Sequence, residues 1–464
     1  MMNEAMLWQG RFSHPPHAEM LRLTASVGID VRLLDADLRA TRAHIRALTV
    51  AGLLDEVQAE ALIETCEALA LDGALTVSEV DEDVHSLVER ALTERLGELG
   101  ARIHAGRSRN DLVACDLRLW AKEAAHELAH KAAELAGALA DRAEEHAHTL
   151  LPGYTHLQPA QPITLGFHLV AHGLALARDA GRFADAGEAA DRSPLGAGAL
   201  AGTTLPLDPA VAARELGFAA IFDNAMDAVS DRDFACELVF AGALCAVHLS
   251  RLAEEIVLWT SAEFGFAALP DQWSTGSSMM PQKRNPDLAE LIRGRAAGGI
   301  SDLAGLLALL KGVPLAYVRD LQEDKGFVFA AVDRTSGSLD GMSHLVRALR
   351  FDRGRMEEAA RRGSTWATAL AEALVARGAA FRDAHAAVGR LVAQLETAGA
   401  GLEGATEADL RSAHPLLRAE DRALADPRAG VESRSSHGGT APAEVIRQVR
   451  RLRAYADRYR GARQ

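Results

Sequence analysis

Proline is missing from three long stretches of this chain. None occurs between Pro16 and Pro152, between Pro209 and Pro270, or between Pro314 and Pro415. Proline removes a backbone donor and clashes with the preceding turn, so its absence leaves those stretches free to be unbroken helix. Aromatic residues make up only 5% of the chain, which leaves packing to Leu, Ala and other compact side chains. Cysteine is scarce: Cys66, Cys115, Cys236 and Cys245 stand far apart in amphipathic or apolar stretches. That is the pattern of buried thiols in a reducing compartment, not of a disulfide framework. Positive charge is in deficit, with a formal net charge of −14. The basic face of a nucleic-acid protein is thereby excluded, although a small anion can still find a local basic pocket. Apolar runs are interrupted by charge before the ~18 residues that a membrane span needs. The N-terminus, Met-Met-Asn-Glu-Ala-Met-Leu-Trp, shows no basic flank followed by an apolar stretch. The expectation is a soluble cytoplasmic protein with neither a nucleic-acid nor a membrane partner.

What is present is helical. The proline-free gaps are rich in Ala, Leu, Glu and Arg, the strong helix formers. Across residues 112–147, Leu117, Trp120, Ala121, Ala124, Leu128, Ala132, Leu135 and Leu139 recur at three and four. Residues 231–261 and 286–311 read as two more long helices, the second starting where Pro286 suits a first turn. No strand-like alternation persists. The expected fold is all-α, in three helical parts: an N-terminal mixed domain (1–107), a central long-helix bundle (108–360) and a C-terminal helical domain (361–464). Surfaces of that length commonly pair across subunits.

Five segments concentrate polar residues. Gly276–Asp287 holds Gly276, Ser277, Ser278, Lys283 and Asn285 between Pro281 and Pro286, a hinged loop with a proton carrier beside oxyanion-binding groups. Gly106–Asp111, Gly-Arg-Ser-Arg-Asn-Asp, stands at the entrance of a long helix. It reads either as a cap, with Ser or Asn satisfying free amides, or as a carboxylate cradle. Gly153–Pro162 places His156 between a threonine and two prolines, on a constrained turn and at the pKa suited to proton transfer. Glu290, four residues beyond Pro286, is the candidate to orient it. Tyr317–Lys325 and Asp81–His85 are dense charged runs, whose plain reading is a solvated face.

Two patterns point elsewhere and fail. His126-Glu127-Leu128-Ala129-His130 matches HExxH, but a zinc site needs a third ligand from a folded-back element, and this helix runs on. Gly196–Gly202 resembles a dinucleotide loop with the spacing off by one and no parallel-strand unit before it. Neither loop serine, Ser277 or Ser278, has glycines at both −2 and +2, so a nucleophile elbow is absent.

Taken in order, the segments carry a resemblance that none carries alone. Gly276–Asp287 resembles the signature loop of the fumarase/aspartase superfamily. Trp8–Phe12, Ser26 to Asp30, Asp81–His85, Gly106–Asp111, Gly153–Pro162, Asp227 to Asp233, Tyr317–Lys325 and Gly438–Pro442 resemble the argininosuccinate lyase family within it. The resemblance implies reversible elimination of fumarate from argininosuccinate, leaving arginine, with no metal and no organic cofactor. It implies a homotetramer whose central helices join in one bundle and whose active sites are shared between subunits. By the same resemblance Ser277 and His156 exchange protons, their acid and base roles left open, with Lys283, Asn285 and Glu290 completing the catalytic set. Ser108, Arg109, Asn110 and Thr155 would hold the succinyl carboxylates. Tyr317, Gln322 and Lys325 would contact substrate, with Ser26 and Asp30 towards the arginine end. Leu112, Cys115, Ala225 and Val318 depart from the family's usual Gln, Thr, Ser and Asn, which leaves a lyase for another N-substituted aspartate as the alternative.

Overall fold

The computed structural model describes residue 14 and residues 16–71, 75–78, 81–362 and 364–461; the Trp8–Phe12 motif lies outside them. Helices dominate, as the proline gaps predict. The longest are Arg109–Glu145, Leu165–Ala190, Asp233–Thr260, Asp287–Leu310 and Asp324–Ala348. Two compact units can be distinguished, and each of those five helices contributes residues to both: 1–128, 182–243 and 298–334 form one, 129–181, 244–297 and 335–464 the other.

In the first unit, Leu34–Val50, Glu56–Leu71 and Val84–Leu96 bury Leu38, Ile45, Leu48, Leu62, Leu69, Val88 and Leu92 against one another. The Leu34–Val50 helix turns a second face, Ala36, Ala40 and Ala43, to Leu112, Cys115, Leu119, Leu195 and Phe218. Alanine at that spacing lets backbones approach closely, which is how a chain poor in aromatics still fills its core. Helix ends follow local chemistry. Asp208 caps the Pro209–Leu216 helix with proline in its first turn, and Gly217 closes it at φ 68°.

In the second unit, Trp366, Leu370, Leu374, Val388, Leu391 and Leu395 make the core of the C-terminal helices. The structure corrects one expectation here: strands exist. Leu150–Thr155 and Gln158–Thr164 form an antiparallel hairpin. Pro152, Pro159 and Pro162 sit within these strands, and they interrupt the period-two pattern that would have announced them. Two further pairs are minimal: Arg192–Ser193 with Ala220–Ile221 in the first unit, and Ala267–Ala268 with Arg350–Phe351 in the second. Helices meet closely at Gly166, where a Cβ would stand 2.4 Å from the Ala143 carbonyl oxygen.

The Asp233–Thr260 helix also qualifies the reading of apolar runs. By length and composition it could cross a membrane, yet 56% of its most apolar stretch is buried inside the chain. Cys245, Leu249, Leu252 and Ile256 along it are buried, as befits a core helix.

Candidate active site

Seven of the residues singled out for substrate contact line one pocket of about 120 Å³ in the first unit: Ser26, Asp30, Arg109, Asn110, Tyr317, Gln322 and Lys325. Distant segments meet there through specific bonds. The Ser26 amide donates to the Glu82 carbonyl at 2.7 Å, and the Ser26 hydroxyl bonds the Asp30 carboxylate. Gln322 Nε2 and Arg319 Nη2 donate to the Thr24 carbonyl at 3.2 and 2.7 Å. Lys325, fully buried, places its Nζ 3.1 Å from Asp324 and 4.0 Å from Asp30. Asp30 Oδ1 is buried in the wall, faced by Lys325 Nζ and without a hydrogen-bond partner among the described residues. Burial pushes the Asp30 carboxyl up, against the pull of Lys325, Ser26 and His85. Burial also raises the Tyr317 phenol, which keeps it a neutral donor.

The Asp81–His85 run is no solvated face. Asp81 takes both Arg90 Nε (2.9 Å) and Nη2 (2.8 Å). Asp83 caps the Val84–Leu96 helix in a reciprocal box with Ser86. Glu82 holds Arg109 Nη1 at 2.9 Å on one oxygen and Arg319 Nη2 at 2.7 Å on the other. Burial would lift the Glu82 carboxyl, but the two guanidiniums outweigh it and hold it below its ordinary range. Glu82 therefore aims two arginines that line the pocket. His85 also faces the pocket. Behind it lie the buried carboxylates Asp37, bonded to its Nδ1, and Asp116, 3.5 Å away. Burial and the neighbouring Asp37 push Asp116 well above the carboxylate range. Glu82, Asp83, His85 and Arg319 had a visible signal in the two charged runs. Asp37 and Asp116 had none.

Ser108 is where the two readings of Gly106–Asp111 meet. It precedes the Arg109–Glu145 helix, its hydroxyl accepting the Asn110 amide at 3.2 Å while its own amide donates to Asp111 Oδ1 at 2.9 Å. The cap is real, and Arg109 and Asn110 still face the pocket. The glycine loop bears on the same corner. Gly196 and Gly198 amides donate to Asp111 Oδ2 at 3.2 and 2.8 Å, and Asn110 Nδ2 donates to the Ala199 carbonyl at 2.9 Å. A loop that resembles a phosphate cradle thus holds the chain's own carboxylate.

The remaining predicted residues belong to the second unit. His156 and Leu157 are the two central residues of the hairpin turn, with φ of 56° and 57°. Two non-glycine residues in that region fit a tight primed turn but carry strain of roughly 1–2 kcal/mol each. His156 and Thr155 are exposed. Ser277 Oγ accepts two backbone amides, from Met279 at 3.3 Å and Met280 at 3.1 Å. The loop carrying it is pinned at its base, where Thr275 and Asn285 exchange backbone bonds of 2.9 and 3.1 Å. Thr275 Oγ1 adds a 2.6 Å bond to Asp287. Between those pins the loop is open: Lys283 is exposed, Met279 is 86% exposed, and among the described residues nothing stands within 4 Å of a Cβ at Gly276. Glu290 is exposed at the start of the Asp287–Leu310 helix, and among the described residues no hydrogen bond or ion pair joins it to His156. The helix through His126 and His130 is unbroken from Arg109 to Glu145.

Comparison with known proteins decides what this geometry belongs to. The lyase family model matches residues 10–298, and the model of the argininosuccinate lyase C-terminal region matches residues 364–432. The chain is 48% identical over 462 residues to the argininosuccinate lyase of Mycolicibacterium vanbaalenii, covering 99% of this chain and 98% of that one. The chain belongs to the argininosuccinate lyase family. The enzyme of Acidothermus cellulolyticus is 49% identical, with 97% and 93% covered. Among solved structures, an EDDS lyase in complex with formate superposes with a TM-score of 0.83 at 27% identity, covering 96% of this chain and 90% of that one. Class II fumarase from Schistosoma mansoni superposes at 0.73 and 16% identity, with 88% and 91% covered, a likeness of fold alone.

Within the family, the departures fall in unequal places. Leu112 and Cys115 are buried in the alanine-lined core, where they pack. Ala225 opens a short helix capped by Asn224. Val318 stands between two pocket residues, Tyr317 and Arg319, and Leu112 precedes a third, Val113.

Proposed function

We propose that this family member cleaves argininosuccinate reversibly to arginine and fumarate by β-elimination. The observation that carries the reading is the gathering of seven expected substrate contacts, remote in sequence, around one pocket. The chemical difficulty is a weakly acidic C–H beside a carboxylate. Its removal adds a second negative charge to that carboxylate, so the stabilising groups must stand in place beforehand. Ser277 takes this proton. The two amides that meet its Oγ favour an alkoxide there, as hydrogen bonds to the charged form always do. Lys283 and Asn285 hold the doubly charged intermediate. The electron pair then forms the fumarate double bond and expels the guanidino nitrogen, which His156 protonates. Arg109, with Ser108, Asn110 and Thr155, binds the succinyl carboxylates. Asp30 and Ser26 meet the cationic arginine half, and Tyr317, Gln322 and Lys325 complete the grip. No metal or cofactor enters these steps.

The active enzyme is a cytoplasmic homotetramer with sites assembled from more than one subunit. Ile300 and Leu307, seven residues apart on one helix face, are 53% and 51% exposed, and Phe240 on another long helix is 49% exposed. Apolar faces of that kind favour helix-to-helix assembly. The division of the sequence near residues 107 and 360 is supported at its second boundary, since the C-terminal family match begins at residue 364. Product analysis tests the activity: purified protein is given argininosuccinate and a panel of other N-substituted aspartates. Fumarate and arginine in equal amounts from the first support the assignment. Faster release from another adduct would favour the alternative substrate and direct attention to Val318.

A further inference from the structure

His168 and His172 stand four residues apart in the Leu165–Ala190 helix, so their rings leave the same face. Glu255 of the Asp233–Thr260 helix meets both with a single atom. Its Oε2 lies 2.5 Å from His168 Nε2 and 2.7 Å from His172 Nε2. The two ring centroids are 5.4 Å apart, and Trp259, one turn beyond Glu255, packs at 5.1 Å against His168. His168, His172 and Glu255 side chains keep 26%, 14% and 32% of their exposure, so solvent ions can reach them. Burial works against the Glu255 charge, yet the two imidazoles hold the carboxyl far below its ordinary range. All three residues belong to the second unit, and none has a part in the elimination.

We propose that His168, His172 and Glu255 bind a divalent transition ion of the zinc class and clasp the two helices together. Two imidazole nitrogens and one carboxylate oxygen form a ligand set that zinc takes readily, water filling the fourth position. Their ligand atoms already lie within 4.8 Å of one another. A tetrahedral ion about 2.1 Å from each ligand holds them about 3.4 Å apart. Glu255 Oε2 would therefore draw back from each nitrogen by under about 1 Å, a side-chain adjustment. Neutral imidazoles need lose no proton: each moves its hydrogen from Nε2 to Nδ1, leaving Nε2 to coordinate. The second convergent group among the described residues, Asp37, His85 and Asp116, is fully buried and serves the pocket wall.

The test uses untagged full-length protein stripped of metal by chelator and titrated with Co²⁺ as a spectroscopic probe. One equivalent per chain should bind with the visible bands of a four-coordinate nitrogen and oxygen site, and Zn²⁺ should displace it. His172→Gln keeps an N–H for Glu255 and so preserves the packing. It should weaken binding by more than about tenfold, abolish the bands and leave lyase turnover unchanged. Glu255→Gln, which removes the anionic ligand, is the second variant and should do the same. Folded wild-type protein without bands, or bands that survive both substitutions, would overturn the proposal. Because the readout is metal binding, it stands or falls apart from the lyase activity.

Discussion

Replacing Asp324 with asparagine removes one negative charge and strands two cations. The side chains of Arg232 and Asp324 are both 0% exposed, with Arg232 Nε 2.5 Å from Asp324 Oδ2. Asp324 Oδ1 accepts from Lys325 Nζ at 3.1 Å. Asparagine keeps one acceptor and turns an N–H towards the other cation. Arg232 retains the Asp231 carbonyl at 2.8 Å, but its Nη2 already has no hydrogen-bond partner among the described residues. Breaking a buried ion pair from one side costs about 3–5 kcal/mol, because the remaining charge stays desolvated and unpaired. Asp30, 4.0 Å from Lys325, offsets part of the loss, so the lower end applies: about 3 kcal/mol. That is roughly 150-fold in the folding equilibrium. Urea unfolding followed by circular dichroism, at one fixed protein concentration, measures it. The double variant Arg232→Met/Asp324→Asn relieves one stranded cation and should recover about half the loss. A single variant within about 1 kcal/mol of wild type would refute the reasoning. So would a double variant no better than the single.

Acid should act through His44, whose ring is buried, bonds the Ala105 carbonyl at 2.9 Å and is pushed down to about 3, chiefly by burial and then by Arg107. With the folded pKa below the unfolded one, its contribution is complete above pH 6.5 and is lost as pH falls. By pH 5 the loss should amount to about 2 kcal/mol, seen as a steeper fall of stability between pH 7 and 5 in wild type than in His44→Asn. Gly166→Ala puts a methyl 2.4 Å from the Ala143 oxygen and 2.9 Å from the Ala147 Cα. Backbone cannot yield as a side chain does, so a loss of about 1–2 kcal/mol is expected in thermal unfolding. His156→Asn suits the turn's φ of 56° and should leave the fold intact while kcat drops ~10²–10⁴-fold. Near-normal turnover would remove His156 from proton transfer.

The helices were legible because missing proline and a three-and-four spacing are local properties of the chain. The expected 112–147 helix is Arg109–Glu145, and 286–311 is Asp287–Leu310. The hairpin at 150–164 was not, since its prolines erase the alternation that marks a strand. Most of the pocket could be named in advance through the resemblance. The role of Glu82 could not, because a charged run reads as solvated until its two arginine partners, Arg109 and Arg319, are placed. Asp37 and Asp116 were invisible for a similar reason. A lone aspartate in a helix of Ala, Leu and Arg reads as surface, and both are fully buried. The Gly196–Gly202 loop was rightly set aside on its spacing, and the Gly196 and Gly198 amides hold Asp111.

The most direct test of the account is absorbance at the fumarate band after argininosuccinate is added to purified, chelator-treated protein, beside Ser277→Ala. A steady rise in wild type, cut by ~10² or more in the variant, is the predicted result. An equal rise in both would take the proton-abstracting role from Ser277, and no rise in folded, assembled protein would contradict the activity itself.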